Sequence, residues 1–313
     1  MHTLLALTLA LALQESVPEA LPPVCLGDGI KIGEVTDRSA IVWVRLTTSP
    51  ERNTAGLAWP EGADALPEGH TLSEMVDAVP GAGGEVRVSW WPEGDEVGRR
   101  STAWVAVDRS RDDTHQFQLS EGLAPGGRYD LLVEGRGGEG QAVSCRLKGT
   151  LRTAPAADVA APGRFTVVTG QSYLRRDDAE RGHRIYGHML ALDPDFFVHT
   201  GDVVYHDKPG PFAKSPALAR YKWNRIYAMP LQRDFHARVP SWFMTDDHDV
   251  LKNDCWPGQS YGDLSWDEGL AIYREQTPAG RKPYRRVRWG KDLEVWFMEG
   301  REFRSPNRME DGP

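Results

Sequence analysis

The feature that most constrains the fold is a change of pattern around residues 154–163, a segment rich in Ala, Pro and Gly. Before this segment, short runs of β-branched and aromatic residues alternate with turns and show no helical period. After it, strand patterns alternate with helical patterns, as in α/β proteins that contain a parallel sheet. The sequence therefore predicts an all-β domain over residues 25–153, a linker over 154–163 and an α/β domain over 164–313.

The first predicted domain shows two features of β-sandwiches. Val86, Val88 and Trp90 alternate along one face of a predicted strand. Tyr129 opens a later strand after a Leu and a Pro-Gly turn, which is typical of the tyrosine corner of a sandwich. We therefore expect residues 25–153 to form an immunoglobulin- or fibronectin III-like β-sandwich.

The second half has distinct start signals for its helices. Ser215 precedes a proline, and Ser265 stands three residues before Glu268, so both serines are expected to cap helices. A hairpin is predicted at the end of the chain, over residues 284–298. The predicted strands cover residues 165–169 and 195–200, both expected to be buried, and residues 240–245. The predicted helices cover 178–192, 215–226 and 265–275.

The N-terminus carries a short apolar run, residues 4–13, which is typical of the central region of a secretory signal. We expect residues 1–24 to be a leader and the protein to be secreted or periplasmic, with a buried first helix as the alternative. Cys25 and Cys145 bracket the β half, which is compatible with a disulfide or with two free thiols. No run of about 18 apolar residues occurs, so no transmembrane helix is expected.

The charge and the motifs of the chain disfavour two functions that involve nucleic acids or nucleotides. Lys and Arg number 37 and Asp and Glu number 45, which gives a net charge of −8 and disfavours nucleic acid as a bulk partner. The chain has no GxxxxGK[ST] loop, which disfavours a nucleotide-binding domain of that class. The sequence does not indicate an oligomeric state.

Polar side chains follow two of the predicted strands. Asp202 and Tyr205 come after one strand, and Asp247, His248 and Asn253 come after the next. In open α/β sheets, ligands bind at the carboxyl ends of the strands. Carboxylate, phenol, imidazole and amide donors suit Ca²⁺, Mg²⁺, Mn²⁺ or Fe, and suit Zn²⁺ less exclusively. The sequence therefore predicts a metal site here, where one carboxylate could bridge two ions.

The motif GDVVY at residues 201–205, followed by DDHD at 246–249 and by Asn253, resembles the alkaline phosphatase D family of the calcineurin-like metallophosphatase superfamily. Residues 284–290 and 303–306 are also similar to segments of that family. The resemblance implies an αββα core and a site with Fe and Ca, with Mg, Mn or Zn as alternatives. It also implies hydrolysis of small or polymeric phosphate monoesters or diesters by an activated water.

The resemblance implies a role for each site residue. Asp202 would bridge the two metal ions, and Tyr205 would be a phenolate ligand to a ferric ion. Asp247 would be a ligand where related phosphatases have an Asn, and Asn253 would support the metal site. His248 would stabilise the transition state or protonate the leaving oxygen.

The chain departs from the family pattern at two points. The first family motif usually has a Ser-Cys pair whose Cys binds metal, whereas this chain has Gly170-Gln171-Ser172-Tyr173 there, with no Cys and no acid. The family's downstream Gly-Asp-x-His segment does not occur before Pro313, so we expect a partial core and no activity from residues 1–313 alone. Asp207 is a further candidate ligand. A non-catalytic binding protein on a degenerate metallophosphatase scaffold is the alternative function.

Overall fold

A computed structural model describes residues 22–280 and 282–310. The predicted leader, residues 1–24, lies almost wholly outside the described residues, so export stays a prediction. Cys25 and Cys145 are both free thiols in the structure. None of the described helices is both long enough and apolar enough to cross a membrane.

The described residues form fifteen strands and five α-helices, and both halves of the chain contribute strands. The strands are β1 (Ile30–Gly33), β2 (Ala40–Arg45), β3 (Glu85–Pro92), β4 (Arg100–Ser101), β5 (Val105–Ala106), β6 (Thr114–Leu119), β7 (Arg128–Arg136), β8 (Cys145–Arg152), β9 (Phe165–Val168), β10 (Phe196–His199), β11 (Ser241–Phe243), β12 (Ser260–Tyr261), β13 (Leu264–Ser265), β14 (Arg285–Trp289) and β15 (Leu293–Phe297). The helices are α1 (Ile185–Ala191), α2 (Pro216–Tyr227), α3 (Pro230–His236), α4 (Asp247–Val250) and α5 (Trp266–Gln276).

The largest sheet has six strands in the order β6-β2-β1-β11-β10-β9. Strands β6, β2 and β1 are antiparallel, whereas β1, β11, β10 and β9 are parallel. Gly33 of β1 pairs with Ser241 of β11. A Cβ at Gly33 would lie 2.7 Å from the Ser241 carbonyl oxygen, so glycine is what allows this close approach. The two halves predicted from the sequence therefore contribute strands to one continuous sheet.

A second sheet, ordered β4-β3-β7-β8, packs against the first. Val42 of β2, Val88 of β3 and Val133 of β7 belong to one apolar core, which also contains Val198 of β10 and Trp242 of β11. Burial of these apolar side chains between the two sheets is expected to be the main source of stability for their packing. The fold is mixed α/β, with strands from both halves in a common core.

Helices cover the other face of the parallel strands. Phe197 of β10 packs with Tyr186 of α1 and Phe235 of α3, because alternate residues of a strand point to opposite faces. Helices α2 and α5 begin directly after Ser215 and Ser265, as predicted from the sequence. Ser215 accepts a hydrogen bond from the Leu218 N–H at 3.4 Å, and Ser265 and Glu268 form a capping box.

Two predictions for the second half are wrong in detail. Strand β9 is not buried, since Phe165 is 42% and Val167 53% exposed. The reason is that β9 lies at the edge of the sheet, where one side has no neighbouring strand. The helix predicted over residues 178–192 begins only at Ile185, because Asp178 and Gly182 close a turn through two backbone hydrogen bonds of 2.9 and 3.1 Å.

Candidate metal centre

The candidate site lies where β10 and β11 end. These parallel neighbours pair His199 with Phe243, so the loops that follow them leave the sheet at the same edge. Asp202 comes from the first loop, and Asp247 and His248 come from the first turn of α4. One ligand atom from each of these three residues lies within 4.8 Å of the other two. Since the Tyr205 hydroxyl also lies 3.2 Å from Oδ2 of Asp202, the structure brings together four of the five site residues predicted from the sequence.

The loop after β10 approaches the loop after β11 very closely. Gly201 has φ +111°, and a Cβ there would lie 2.5 Å from the Cβ of Asp246. Asp202 itself has φ +56°, a left-handed conformation that costs a non-glycine residue roughly 1–2 kcal/mol. Such backbone strain is concentrated at functional sites, where the surrounding contacts enforce it.

Asp249 provides those contacts for the Asp202 loop. Its carboxylate accepts hydrogen bonds from the backbone N–H groups of Asp202 at 2.8 Å, Val204 at 3.0 Å and Asp246 at 2.9 Å. Burial raises the pKa of Asp249 to about 8, although the three N–H donors favour its charged form. Asp249 was not predicted as a site residue, but the spacing Asp246-x-x-Asp249 has the form of a capping box and could have indicated it.

We expect Asp249→Ala to lower the free energy of unfolding by at least about 3 kcal/mol, because one buried and two partly buried N–H groups lose their acceptor at roughly 1–3 kcal/mol each. Urea denaturation measures this loss. Asp267→Ala, at an exposed position in α5, is the control and is expected to change stability by about 0.5 kcal/mol or less. A loss below about 1 kcal/mol for Asp249→Ala would contradict this role.

Asp202 has the electrostatic setting of a metal ligand. Burial and the negative charge of Asp246 raise its pKa to about 6. Its Oδ2 accepts a hydrogen bond from the Tyr205 hydroxyl at 3.2 Å, whereas Oδ1 is buried and has no hydrogen-bond partner within the described ranges. A buried carboxylate oxygen without a donor is costly unless a cation or solvent reaches it.

His248 is held by a carboxylate of the other loop. Its Nδ1 lies 2.6 Å from Oδ1 of Asp207, and its ring lies 4.6 Å from the ring of Tyr205. Burial lowers the pKa of His248, but the hydrogen bond and charge of Asp207 outweigh it, so the net shift is upward. Asp207 was predicted as a candidate ligand; in the structure it orients His248 and leaves Nε2 free to act.

Asn253 does not join the group. Its side chain is exposed and donates to Asp254 at 2.8 Å, while its backbone N–H donates to Oδ2 of Asp207 at 3.0 Å. Asn253 therefore supports the carboxylate that holds His248, and its amide is not among the three ligand residues that converge.

The loop after β9 contributes backbone and no ligand to the group. The N–H groups of Gly170 and Gln171 donate to the carbonyls of Gly201 and Asp202 at 3.0 and 2.9 Å. The Gln171 side chain turns into the core and accepts from the Tyr186 hydroxyl at 2.6 Å. A Cβ at Gly170 would lie 3.0 Å from the Tyr205 hydroxyl, so this position borders the site without a side chain.

Two basic residues that were not predicted from the sequence also lie at the site. Lys222 of α2 is buried, and its Nζ donates to the carbonyls of Tyr205 at 2.5 Å, His206 at 3.2 Å and Lys208 at 2.6 Å. It therefore fixes the backbone of the loop that carries Tyr205 and Asp207. Arg301 has its Nε 2.5 Å from Oδ1 of Asp246. Neither residue belongs to a motif near its partners in sequence, so no local signal indicated them.

The donor set fits a hard cation. Two carboxylates and an imidazole converge, the Asp202 Oδ1 is buried without a partner, and a phenol lies within hydrogen-bond distance of Asp202. Cys255 is the nearest thiol among the described residues that contact this group, and its Sγ donates to the Asp247 carbonyl at 3.2 Å. The site is therefore an oxygen- and nitrogen-donor site.

Comparison with known proteins gives one family match and several similar folds. Residues 165–312 match the family model described as PhoD-like phosphatase. A solved structure of PhoD is 19% identical, with a TM-score of 0.65, and the match covers 95% of this chain and 56% of that one. The purple acid phosphatase PPD1 from seeds of yellow lupin (Lupinus luteus) is 13% identical, with a TM-score of 0.50, and 83% of this chain and 42% of that chain are covered.

At these identities the two solved structures show a shared fold, and this chain spans about half the length of each. No curated protein matches the sequence. The match of residues 165–312 to the PhoD-like phosphatase model, together with the fold shared with PhoD, confirms the resemblance to the alkaline phosphatase D family.

Proposed function

We propose that this protein is a metal-dependent phosphoesterase that hydrolyses phosphate monoesters or diesters with an activated water. The observation that supports this most strongly is the convergence of Asp202, Asp247 and His248 at the ends of two parallel strands. The family match of residues 165–312 supports the same reaction class. The chain's net charge of −8 opposes the approach of an anionic substrate to the acidic loops, and a bound cation would reduce this repulsion.

In this proposal Asp202, Tyr205 and Asp247 would hold the metal ions, and Asp202 would be the ligand shared between two of them. Iron and calcium are the proposed metals, with Mg, Mn or Zn as alternatives. A bound metal supplies a Lewis acid for the phosphoryl oxygens and lowers the pKa of a water molecule. The buried, unpartnered Oδ1 of Asp202 is the oxygen that has capacity for a second ion.

His248 acts on the substrate in this proposal. Asp207 accepts the Nδ1 proton at 2.6 Å and so fixes the orientation of the ring. The free Nε2 is then available to stabilise the phosphoryl group or to deliver a proton to the leaving oxygen. Lys222 keeps Asp207 in place by fixing the backbone of the same loop at three carbonyls.

A non-catalytic binding protein on the same scaffold is the second candidate. The observation that favours it is the loop after β9, where Gly170 and Gln171 bring no ligand to the converging group. Such a protein could bind phosphate without turnover. The two candidates therefore differ in hydrolysis and not in binding.

Hydrolysis of p-nitrophenyl phosphate and its bis ester by the full-length protein separates the two candidates. We expect activity that a chelator removes and that Mn²⁺, Ca²⁺ or Fe³⁺ restores. Asp247→Ala should abolish it, whereas Asp267→Ala, at an exposed position in α5, should retain most of it. Metal binding without any hydrolysis would contradict the enzyme and favour the binding protein.

We also propose that the strands of residues 25–153 form an immunoglobulin- or fibronectin III-like module. The Tyr129 hydroxyl accepts the Ala124 N–H at 2.6 Å, as in a tyrosine corner. Export to the periplasm or the exterior is proposed on the apolar run at residues 4–13. N-terminal sequencing of the mature protein tests export, and an intact Met1 on cytosolic protein would contradict it.

A further inference from the structure

We propose that Arg301 is a substrate-binding residue that holds a non-bridging oxygen of the phosphoryl group at the metal centre. This inference rests on the proposed phosphoesterase function. Its basis is the position of the guanidinium beside two neighbouring acids. Nε lies 2.5 Å from Oδ1 of Asp246, and Nη2 lies 3.8 Å from Oδ1 of Asp247.

The structure holds Arg301 in this position from both sides. Glu299 accepts hydrogen bonds from the backbone N–H groups of Arg301 and Glu302, which fixes the turn after β15. Glu302 in turn pairs with Arg274 of α5 at 2.6 Å. The backbone of Arg301 therefore lies in a hydrogen-bonded turn, and an ion pair connects this turn to helix α5.

The guanidinium keeps free donor capacity. Only Nε is within hydrogen-bond distance of Asp246, and the 3.8 Å separation between Nη2 and Asp247 is an ion pair without a hydrogen bond. The Arg301 side chain is 25% exposed, so the site is open to solvent on this side. A planar guanidinium with unused N–H groups is well matched to the paired oxygens of a phosphate.

Metal binding strengthens this assignment. A cation bound by Asp247 would neutralise the carboxylate charge that Nη2 of Arg301 faces at 3.8 Å. Arg301 and the cation then repel each other, and an anion placed between them relieves the repulsion. Arg301 and the metal would thus bind one phosphoryl group from two sides, while Asp246 keeps the side chain in place.

A purely structural role for Arg301 predicts a different behaviour. If Arg301 served only as the counter-ion of Asp246 and Asp247, its removal would make Asp247 more available to a cation. Metal affinity would rise, and phosphate affinity would stay the same. Phosphate binding is therefore the readout that separates the two roles.

The test uses the full-length protein loaded with Mn²⁺ and measures inorganic phosphate binding by calorimetry. We expect Arg301→Gln to raise the Kd for phosphate at least about tenfold, because a charge-assisted hydrogen bond is lost. Arg301→Lys keeps the positive charge but loses the paired N–H donors of the guanidinium. Its Kd for phosphate should lie between those of the wild type and Arg301→Gln. The KM for the bis ester should rise in the same order, with Mn²⁺ affinity equal or higher.

Arg286→Gln is the matched control. Arg286 pairs with Glu294 on the exposed hairpin at 3.0 Å, so this change removes the same charge away from the site and should leave phosphate affinity within about twofold. If Arg301→Gln does not fold, as judged by circular dichroism, the comparison of Arg301→Lys with wild type decides. Phosphate affinity unchanged in a folded Arg301 variant would overturn the proposal.

Failure of the proposed function gives a different result. In that case the wild-type protein binds Mn²⁺ or phosphate and does not hydrolyse either ester. The dependence of phosphate binding on Arg301 is still measured on such a protein. A wild-type protein that binds no phosphate, with or without Mn²⁺, would overturn the inference about Arg301 itself.

Discussion

Asp202→Asn is expected to remove the metal from the full-length protein and to lower kcat/KM for phosphate esters by at least about a thousandfold, since several kcal/mol of transition-state stabilisation come from the metal. The amide is neutral and cannot bridge two cations as a carboxylate does. Elemental analysis of the purified variant measures metal content, and the bis ester assay measures activity. Metal content equal to that of the wild type would contradict the bridging role.

The same substitution is expected to stabilise the metal-free protein. The pKa of Asp202 is raised to about 6 in the fold, above the value of about 3.9 for an unperturbed aspartate. Its ionised form therefore destabilises the folded state, and this penalty grows as the pH rises from about 4 to 6. Asp202→Asn lacks the titrating group, so its advantage in melting temperature over the wild type should appear above about pH 6 and vanish near pH 4.

His248→Gln is expected to lower kcat by about 10²–10⁴ while most of the metal stays bound. The imidazole acts on the substrate in our account, and Asp207 holds it through Nδ1 at 2.6 Å. Single-turnover kinetics and metal content measured on the same preparation test both parts. Loss of the metal together with activity would instead show that His248 is a ligand, as its place among the three converging residues permits.

Asp207→Asn tests the orientation of His248 by a pH profile. The charge and hydrogen bond of Asp207 raise the pKa of His248 against the effect of burial. If the protonated imidazole delivers the proton to the leaving oxygen, activity falls as the pH rises through this pKa. Without the carboxylate the pKa drops, so the alkaline limb of the profile should move to lower pH, with the metal retained.

The core of the site could be predicted from the sequence because its parts obey local rules. Asp202 and the Asp247–His248 pair each follow a short apolar strand, and parallel strands deliver such residues to one edge. The capping signals at Ser215 and Ser265 predicted where α2 and α5 begin, since capping depends on residues only three positions apart.

Features that depend on distant contacts could not be predicted in this way. The shared six-stranded sheet depends on the Gly33–Ser241 pairing, which joins residues from the two halves of the chain. Arg301 forms an ion pair with Asp246, although the two are 55 residues apart in sequence. Lys222 donates hydrogen bonds to three carbonyls of the loop that follows β10. The exposure of β9 follows from its edge position, which its apolar sequence does not reveal.

The central claim is that the protein hydrolyses phosphate esters with a metal bound by Asp202, Asp247 and Tyr205. Titrating metal-free full-length protein with Mn²⁺, with bound metal and bis ester hydrolysis measured on the same samples, tests it most directly. We expect hydrolysis to rise in proportion to tightly bound metal and to saturate with it, and Asp202→Asn to show neither. Full hydrolysis by the metal-free protein, or saturated metal binding without hydrolysis, would contradict the account.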